Sequence, residues 1–228
     1  MSAARVQGNS VLLPNGKVLA FGGSVQGNNV NTASLAADLY DPTTGTFSPA
    51  GTCAYARLYH STALLLPDAT VLSAGSNPKR GTYEQHIEVY SPAYLFTTDG
   101  SGNIISAARP AISGISPIVI GYGSAGTFTV NLSTAEMISS VVLVRAGSIT
   151  HAFDMDQRVI GLNFTQSGGT LTVNLPPNPK RGSPWLLLAL CAEQYRHAVS
   201  REVSPGGALP NGQAAQRNDD SSYNRREY

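Results

Sequence analysis

Two pairs of neighbouring side chains have types and spacing that can do chemistry: Tyr59-His60 and, 91 residues further on, Thr150-His151. Imidazole and phenolate are both good ligands for copper, so a tyrosine, its neighbouring histidine and a distant histidine form a compatible donor set. Spacing alone does not choose between that reading and a plain surface or core role for each histidine. The two other histidines offer less. His86 alternates with apolar residues in Tyr83-Glu84-Gln85-His86-Ile87-Glu88 and reads as solvent-facing on a strand; His197, beside Arg196, reads the same way. Asp154, Asp156, Gln157 and Arg158 read as a structural turn held by arginine and glutamine hydrogen bonds rather than as an acid pair. Trp185 reads as core. The chain has no HExxH, CxxC, GxSxG, phosphate-binding loop or GxGxxG opening a helix, which argues against a self-contained zinc site and the common hydrolase and nucleotide folds.

The elements that must position these residues show a repeat. ARVQGN at residues 4–9 returns as ARLYHS at 56–61, and both run into similar apolar strands, SVLLPNGKVLAFGG and TALLLPDATVLSAG. Tyr59-His60 then stands against Gln7-Gly8. Leu13-Pro14-Asn15-Gly16 matches Leu66-Pro67-Asp68-Ala69 as a tight turn between strands. Ala37-Asp38-Leu39-Tyr40-Asp41-Pro42 matches Ile87-Glu88-Val89-Tyr90-Ser91-Pro92 as a closing strand. A period near 50 with several short strands per unit fits a kelch-type propeller blade. Two blades cannot close a ring of four to eight, so residues 1–98 are expected to be a partial propeller.

Thr97 to Arg109 is small and polar, and residues 99–107 are expected to form a linker. Beyond it, short alternating strands at Gly126–Val130, Val141–Arg145, Leu171–Leu175 and Trp185–Leu190 predict a β-sandwich of immunoglobulin type over 108–204. Residues 205–228 are polar and rich in Gly, Pro and Asn, and are expected to be a disordered tail. The predicted fold class is therefore all-β, a partial kelch-type propeller of about two blades followed by an immunoglobulin-like sandwich.

A net charge of +1 without a basic stripe excludes an electrostatic nucleic-acid binder. No apolar run is long enough to span a bilayer, and MSAARVQGNS lacks the apolar stretch of a signal peptide. Cys53 and Cys191 are expected to be unpaired core thiols.

Several stretches, in order, resemble the galactose oxidase and glyoxal oxidase group of copper radical oxidases. They are Arg57-Leu58-Tyr59-His60-Ser61 with Leu64-Leu65-Leu66-Pro67-Asp68, Glu88-Val89-Tyr90-Ser91-Pro92-Ala93-Tyr94-Leu95-Phe96, and Val141-Val142-Leu143-Val144-Arg145 through Thr150-His151 to Asp156-Gln157-Arg158. The resemblance implies that the first unit is the last part of a kelch propeller and the second an early-set immunoglobulin-like domain. It implies that Tyr59, His60 and His151 bind copper, with Tyr59 also the base that takes the substrate proton. The family's reaction, oxidation of a primary alcohol or aldehyde with O2 reduced to H2O2, also needs a tyrosine cross-linked to a cysteine. Those two residues lie far upstream of the YHS motif in the family; Cys53 and Tyr55 do not occupy their place. The expectation is thus a truncated relative, with little or no oxidase activity as this chain alone and its missing blades in a longer or separate chain. The alternative is a non-catalytic module that binds carbohydrate or a partner and keeps a relic metal site. Small alcohols, aldehydes or carbohydrates are the expected ligands, with no nucleic acid or membrane partner, and the resemblance implies an extracellular location.

Overall fold

The structure, a computed structural model, describes residues 1–79, 81–117, 126–149 and 152–175, and the backbone of 186–192. His151, Thr150, Trp185, His197 and the expected tail lie outside the described residues. Among those described, the chain is all-β, with helical geometry confined to two 3-10 turns at Val30–Thr32 and Ala93–Leu95.

The first four strands, β1 (Val6–Leu12), β2 (Val18–Ser24), β3 (Ala36–Asp41) and β4 (Thr46–Thr52), pair antiparallel in chain order. The next three, β5 (Thr62–Leu65), β6 (Val71–Ala74) and β7 (Glu88–Tyr90), repeat the pattern. The equivalence extends to single hydrogen bonds. In the β1–β2 turn, Gly16 N–H donates to Leu13 O at 2.9 Å and Leu13 N–H to Lys17 O at 2.8 Å. In the β5–β6 turn, Ala69 N–H donates to Leu66 O at 2.9 Å and Leu66 N–H to Thr70 O at 2.8 Å. Proline fixes φ at the first corner of each turn. The turn then needs a left-handed residue, which is Gly16 at φ +80° in one copy and Ala69 at φ +64° in the other. The two sheets share one apolar core, in which Val11, Leu13, Leu19, Phe21 and Ala37 meet Ala63 and Val71. Burying each of the larger side chains is worth about 1.5–3 kcal/mol.

Each sheet is also stapled by an arginine. Arg5 Nη2 lies 2.6 Å from Asp38 Oδ2, with both side chains about 95% buried. Its Nη1 donates to Gly22 O at 2.8 Å and its Nη2 to Ala36 O at 2.6 Å. Burial pushes the Asp38 carboxyl up, but hydrogen bonds from Arg5 and Ser2 and the Arg5 charge outweigh it and hold it below the ordinary carboxylate range. In the second copy Arg57 Nη2 lies 2.7 Å from Glu88 Oε2, and its Nη1 donates to Gly75 O at 3.0 Å and His86 O at 2.9 Å. Glu88 has one methylene more than Asp38. Its Oε2 also receives Arg57 Nε, and its Oε1 takes Ala54 N–H, whereas Arg5 Nε has no partner among the described residues.

After β7 the two copies diverge. The chain passes through Ala93–Leu95 into a hairpin of β8 (Phe96–Thr98) and β9 (Ile104–Ser106), so no described strand takes beside β7 the place that β4 takes beside β3. This hairpin falls in the polar run read as a linker. Asp99 closes it by accepting the Ser101 and Asn103 N–H groups.

The remaining strands are β10 (Ile112–Ser116), β11 (Thr127–Leu132), β12 (Ile138–Arg145), β13 (Val159–Leu162), β14 (Phe164–Ser167), β15 (Thr170–Asn174) and β16 (Leu186–Ala192). They form sheets of order β10-β11-β15-β14 and β13-β12-β16. Period-2 alternation buries Phe128, Val130, Leu132, Leu171 and Val173 against Ile138, Val141 and Leu162, the packing of a two-sheet sandwich. Four expected strands coincide with β11, β12, β15 and β16. The sandwich docks on the first unit through Gln157, whose Oε1 accepts Leu12 N–H at 2.7 Å and whose Nε2 donates to Ser10 O at 2.9 Å. The expected turn at Asp154–Arg158 is held by this glutamine and by an Arg145–Asp156 ion pair of 2.7 Å.

Two substitutions test this account by chemical denaturation. Glu88→Gln strands the fully buried Arg57 cation and should cost about 3–5 kcal/mol. Ala69→Gly relieves the left-handed backbone and should stabilise by up to about 1 kcal/mol, because a Cβ is unfavourable there; a loss would refute the turn geometry.

Candidate functional site

Tyr59 and His60 occupy the two corners of a tight turn, closed by Ser61 N–H donating to Leu58 O at 2.9 Å. The flanking side chains point inward: Arg57, Leu58 and Ser61 are buried, while Tyr59 and His60 are exposed, Tyr59 to 46%. Their rings stack with centroids 3.9 Å apart and planes 25° apart. No hydrogen bond joins the phenol oxygen or either imidazole nitrogen to another described residue. His60 has φ +60°, a left-handed conformation that costs an L-residue of order 1 kcal/mol and persists only when its surroundings impose it.

The surroundings do so through the backbone of 57–61. Arg57 O accepts Gly23 N–H at 2.6 Å, Leu58 N–H donates to Ser76 Oγ at 2.9 Å, and Tyr59 O accepts Asn77 N–H at 2.6 Å. Tyr59 N–H donates to Asn28 Oδ1 at 3.2 Å. Ser61 Oγ takes Asn9 Nδ2 at 2.8 Å, tying the corner to β1. Gly75 passes so near that a Cβ there would sit 2.8 Å from His60 O. The corner is thus gripped by the loops after β2 and after β6.

The geometry corrects the register read from the sequence. The left-handed residue of the first copy is Gln7, φ +63°, two places after Arg5; that of the second is His60, three places after Arg57. Gln7 therefore matches His60, and the second copy carries one additional residue between the arginine and the corner. β1 starts at Val6, ahead of this point, but β5 starts only at Thr62. The extra residue turns what is strand in one copy into a projecting turn in the other.

His86 is exposed, as expected, but it precedes β7 rather than lying on a strand; its ring stacks on Tyr55 at 4.0 Å, and its Nδ1 lies 2.5 Å from Glu84 Oε1. Backbone and side-chain bonds from His86, which outweigh desolvation, lower the Glu84 carboxyl. Cys53 is a free thiol, as expected, pushed up to about 11 by burial and the nearby Glu88 charge. The side chain of Cys191 is outside the description. Among the described residues no three His, Cys, Asp or Glu side chains gather as a metal cluster. No described helix is long and apolar enough to cross a membrane, which says nothing of a β-barrel. The gripping groups Asn28, Ser76, Asn77 and Asn9 were not singled out from the sequence. The arginine–carboxylate pairs had a signal: like charges recur at equivalent positions of the repeat.

Two β-units, a meander pair and, beyond the β8–β9 hairpin, a two-sheet sandwich, define the class of protein. Residues 1–94 match the family model described as glyoxal oxidase N-terminus, and residues 109–196 match galactose oxidase-like, early set domain. A galactose oxidase of Gibberella zeae is 30% identical over 194 residues, covering 82% of this chain and 27% of the relative. An aldehyde oxidase GLOX of Vitis pseudoreticulata is 35% identical over 183 residues, covering 72% and 33%. A solved structure described as a fungal alcohol oxidase of the AA5 family in complex with copper superposes with a TM-score of 0.74 at 30% identity, covering 85% of this chain and 41% of that one. The chain belongs to the galactose oxidase and glyoxal oxidase family of copper radical oxidases, and it spans roughly a quarter to a third of the length of the curated relatives it matches.

Burial keeps the Cys53 thiol protonated and slow to react. Alkylation by iodoacetamide at pH 8 should be at least about tenfold slower than in the urea-unfolded chain, since the thiolate is the nucleophile; equal rates would contradict the raised thiol.

Proposed function

We propose that Tyr59 and His60, with His151, contribute to a copper centre that oxidises a primary alcohol or aldehyde with O2. The observation that supports this most directly is the corner itself: two adjacent donors, exposed and without side-chain hydrogen-bond partners among the described residues, held on a left-handed residue. The donor set fits copper, because imidazole nitrogen and phenolate oxygen are both suited to it. When bound, copper supplies a Lewis acid and an acceptor for one electron. Tyr59 Oη takes the proton of the substrate hydroxyl, and His60 orients the phenol through ring stacking. Oxidation of an alcohol removes two electrons, so a second acceptor is required; in our reading the radical tyrosine and its cysteine belong to blades outside this chain. The two meanders are then consecutive kelch blades, residues 1–98, with the sandwich over 108–204, and the site lies outside the cell.

Equilibrium Cu(II) titration with electron paramagnetic resonance tests the reading. The chain should bind about one Cu(II), and His60→Ala and His151→Ala should each weaken binding at least about tenfold. Binding that is weak and indifferent to both substitutions would overturn the metal reading and leave the non-catalytic carbohydrate- or partner-binding module.

A further inference from the structure

Asn28 sits in the loop after β2, far in sequence from the Tyr59-His60 corner, yet it makes the only side-chain bond to the backbone of Tyr59 among the described residues. Its Oδ1 accepts Tyr59 N–H at 3.2 Å, and its Nδ2 donates to Asn77 O at 2.7 Å. Asn77 completes a closed circuit, since its own N–H donates to Tyr59 O at 2.6 Å. The Asn77 carboxamide is anchored in turn: with its nitrogen facing the loop it donates to Thr82 O at 2.7 Å and Lys79 O at 2.5 Å. One carboxamide therefore ties the loops after β2 and β6 together across the peptide that carries the phenol.

We propose that Asn28 is a positioning residue that fixes the direction of Tyr59 and, through the shared turn, of His60. This rests on the reading of those two side chains as metal-facing groups, but the clamp itself can be measured without metal. The circuit needs an acceptor and a donor on one short planar group, which asparagine supplies. Aspartate keeps the acceptor but sets a carboxylate against Asn77 O, so Asn28→Asp should behave like Asn28→Ala. Were the bond to Tyr59 N–H all that mattered, aspartate would serve. Asn29 is the matching control, because it lies in the same loop and, among the described residues, its side chain accepts only from Asn31 N–H.

The experiment compares the whole chain with Asn28→Ala, Asn28→Asp and Asn29→Ala. In the metal-free proteins, hydrogen exchange at the Asn77 and Tyr59 amides should quicken about tenfold in both Asn28 variants and stay unchanged in Asn29→Ala. With Cu(II) added, the Asn28 variants should show altered and broadened paramagnetic resonance parameters while the Asn29 variant matches the parent. Unchanged exchange in Asn28→Ala, or aspartate restoring the parent behaviour, overturns the clamp. Faster exchange with an unaltered copper spectrum overturns its positioning role. A parent chain that binds no Cu(II) defeats the metal reading, and the exchange data still decide whether Asn28 holds the corner.

Discussion

A guanidinium buried beneath the first strand of each unit is the interaction on which the rest hangs. Arg57 is wholly enclosed, and a cation in that position is tolerable only when each of its faces finds an acceptor. Glu88 supplies charge and two of the bonds; the carbonyls of Gly75 and His86 supply the others. Meeting these demands fixes three separate stretches of chain relative to one another: the segment before β5, the end of β6 and the start of β7. Only then do the loops that grip the neighbouring turn come within reach. The first unit solves the same problem with Arg5 and Asp38, reaching less completely because aspartate is shorter.

Against this frame the Tyr59-His60 corner is a local departure whose energetic cost is contained. The left-handed histidine and the outward rings would be unfavourable in a free loop. Here backbone groups of Arg57, Leu58 and Tyr59 are answered by Gly23, Ser76, Asn77 and Asn28, so the strain is spread over groups already held by the sheets. A rigid support of that kind is what a metal or substrate site requires, since loosely held donors lose affinity to their own disorder.

Much of this was legible in the sequence and some was not, for physical reasons. Period-2 alternation and turn chemistry are local, so β11, β12 and β15 and the paired Leu-Pro turns could be read directly. The repeat located both units. The corner's exact register was harder to read: matching the shared Ala-Arg sets Tyr59 against Gln7, the Leu-Pro turns lie one residue further apart, and the backbone dihedrals place that extra residue before the corner, with Gln7 and His60 equivalent. The asparagine clamp was invisible for another reason. Asn28, Asn77 and Tyr59 are brought together by the packing of two sheets, and nothing in a loop such as VQGNN announces which side chain will face a distant peptide. His86 was misplaced because alternation of types cannot show where a short strand begins.

The additional residue in the second unit carries a broader consequence. Duplicated modules usually diverge by exchanging side chains on a common scaffold, which leaves each copy's outline intact. Here a change of length by one residue pushes a short arch out of the sheet, and neither exposed ring on that arch takes part in the packed interior. Identity at those two positions is thereby freed from core packing, and only the left-handed backbone of His60 still weighs on the choice. Such a spot is a place where a lineage can try new chemistry while the architecture beneath it stays the same.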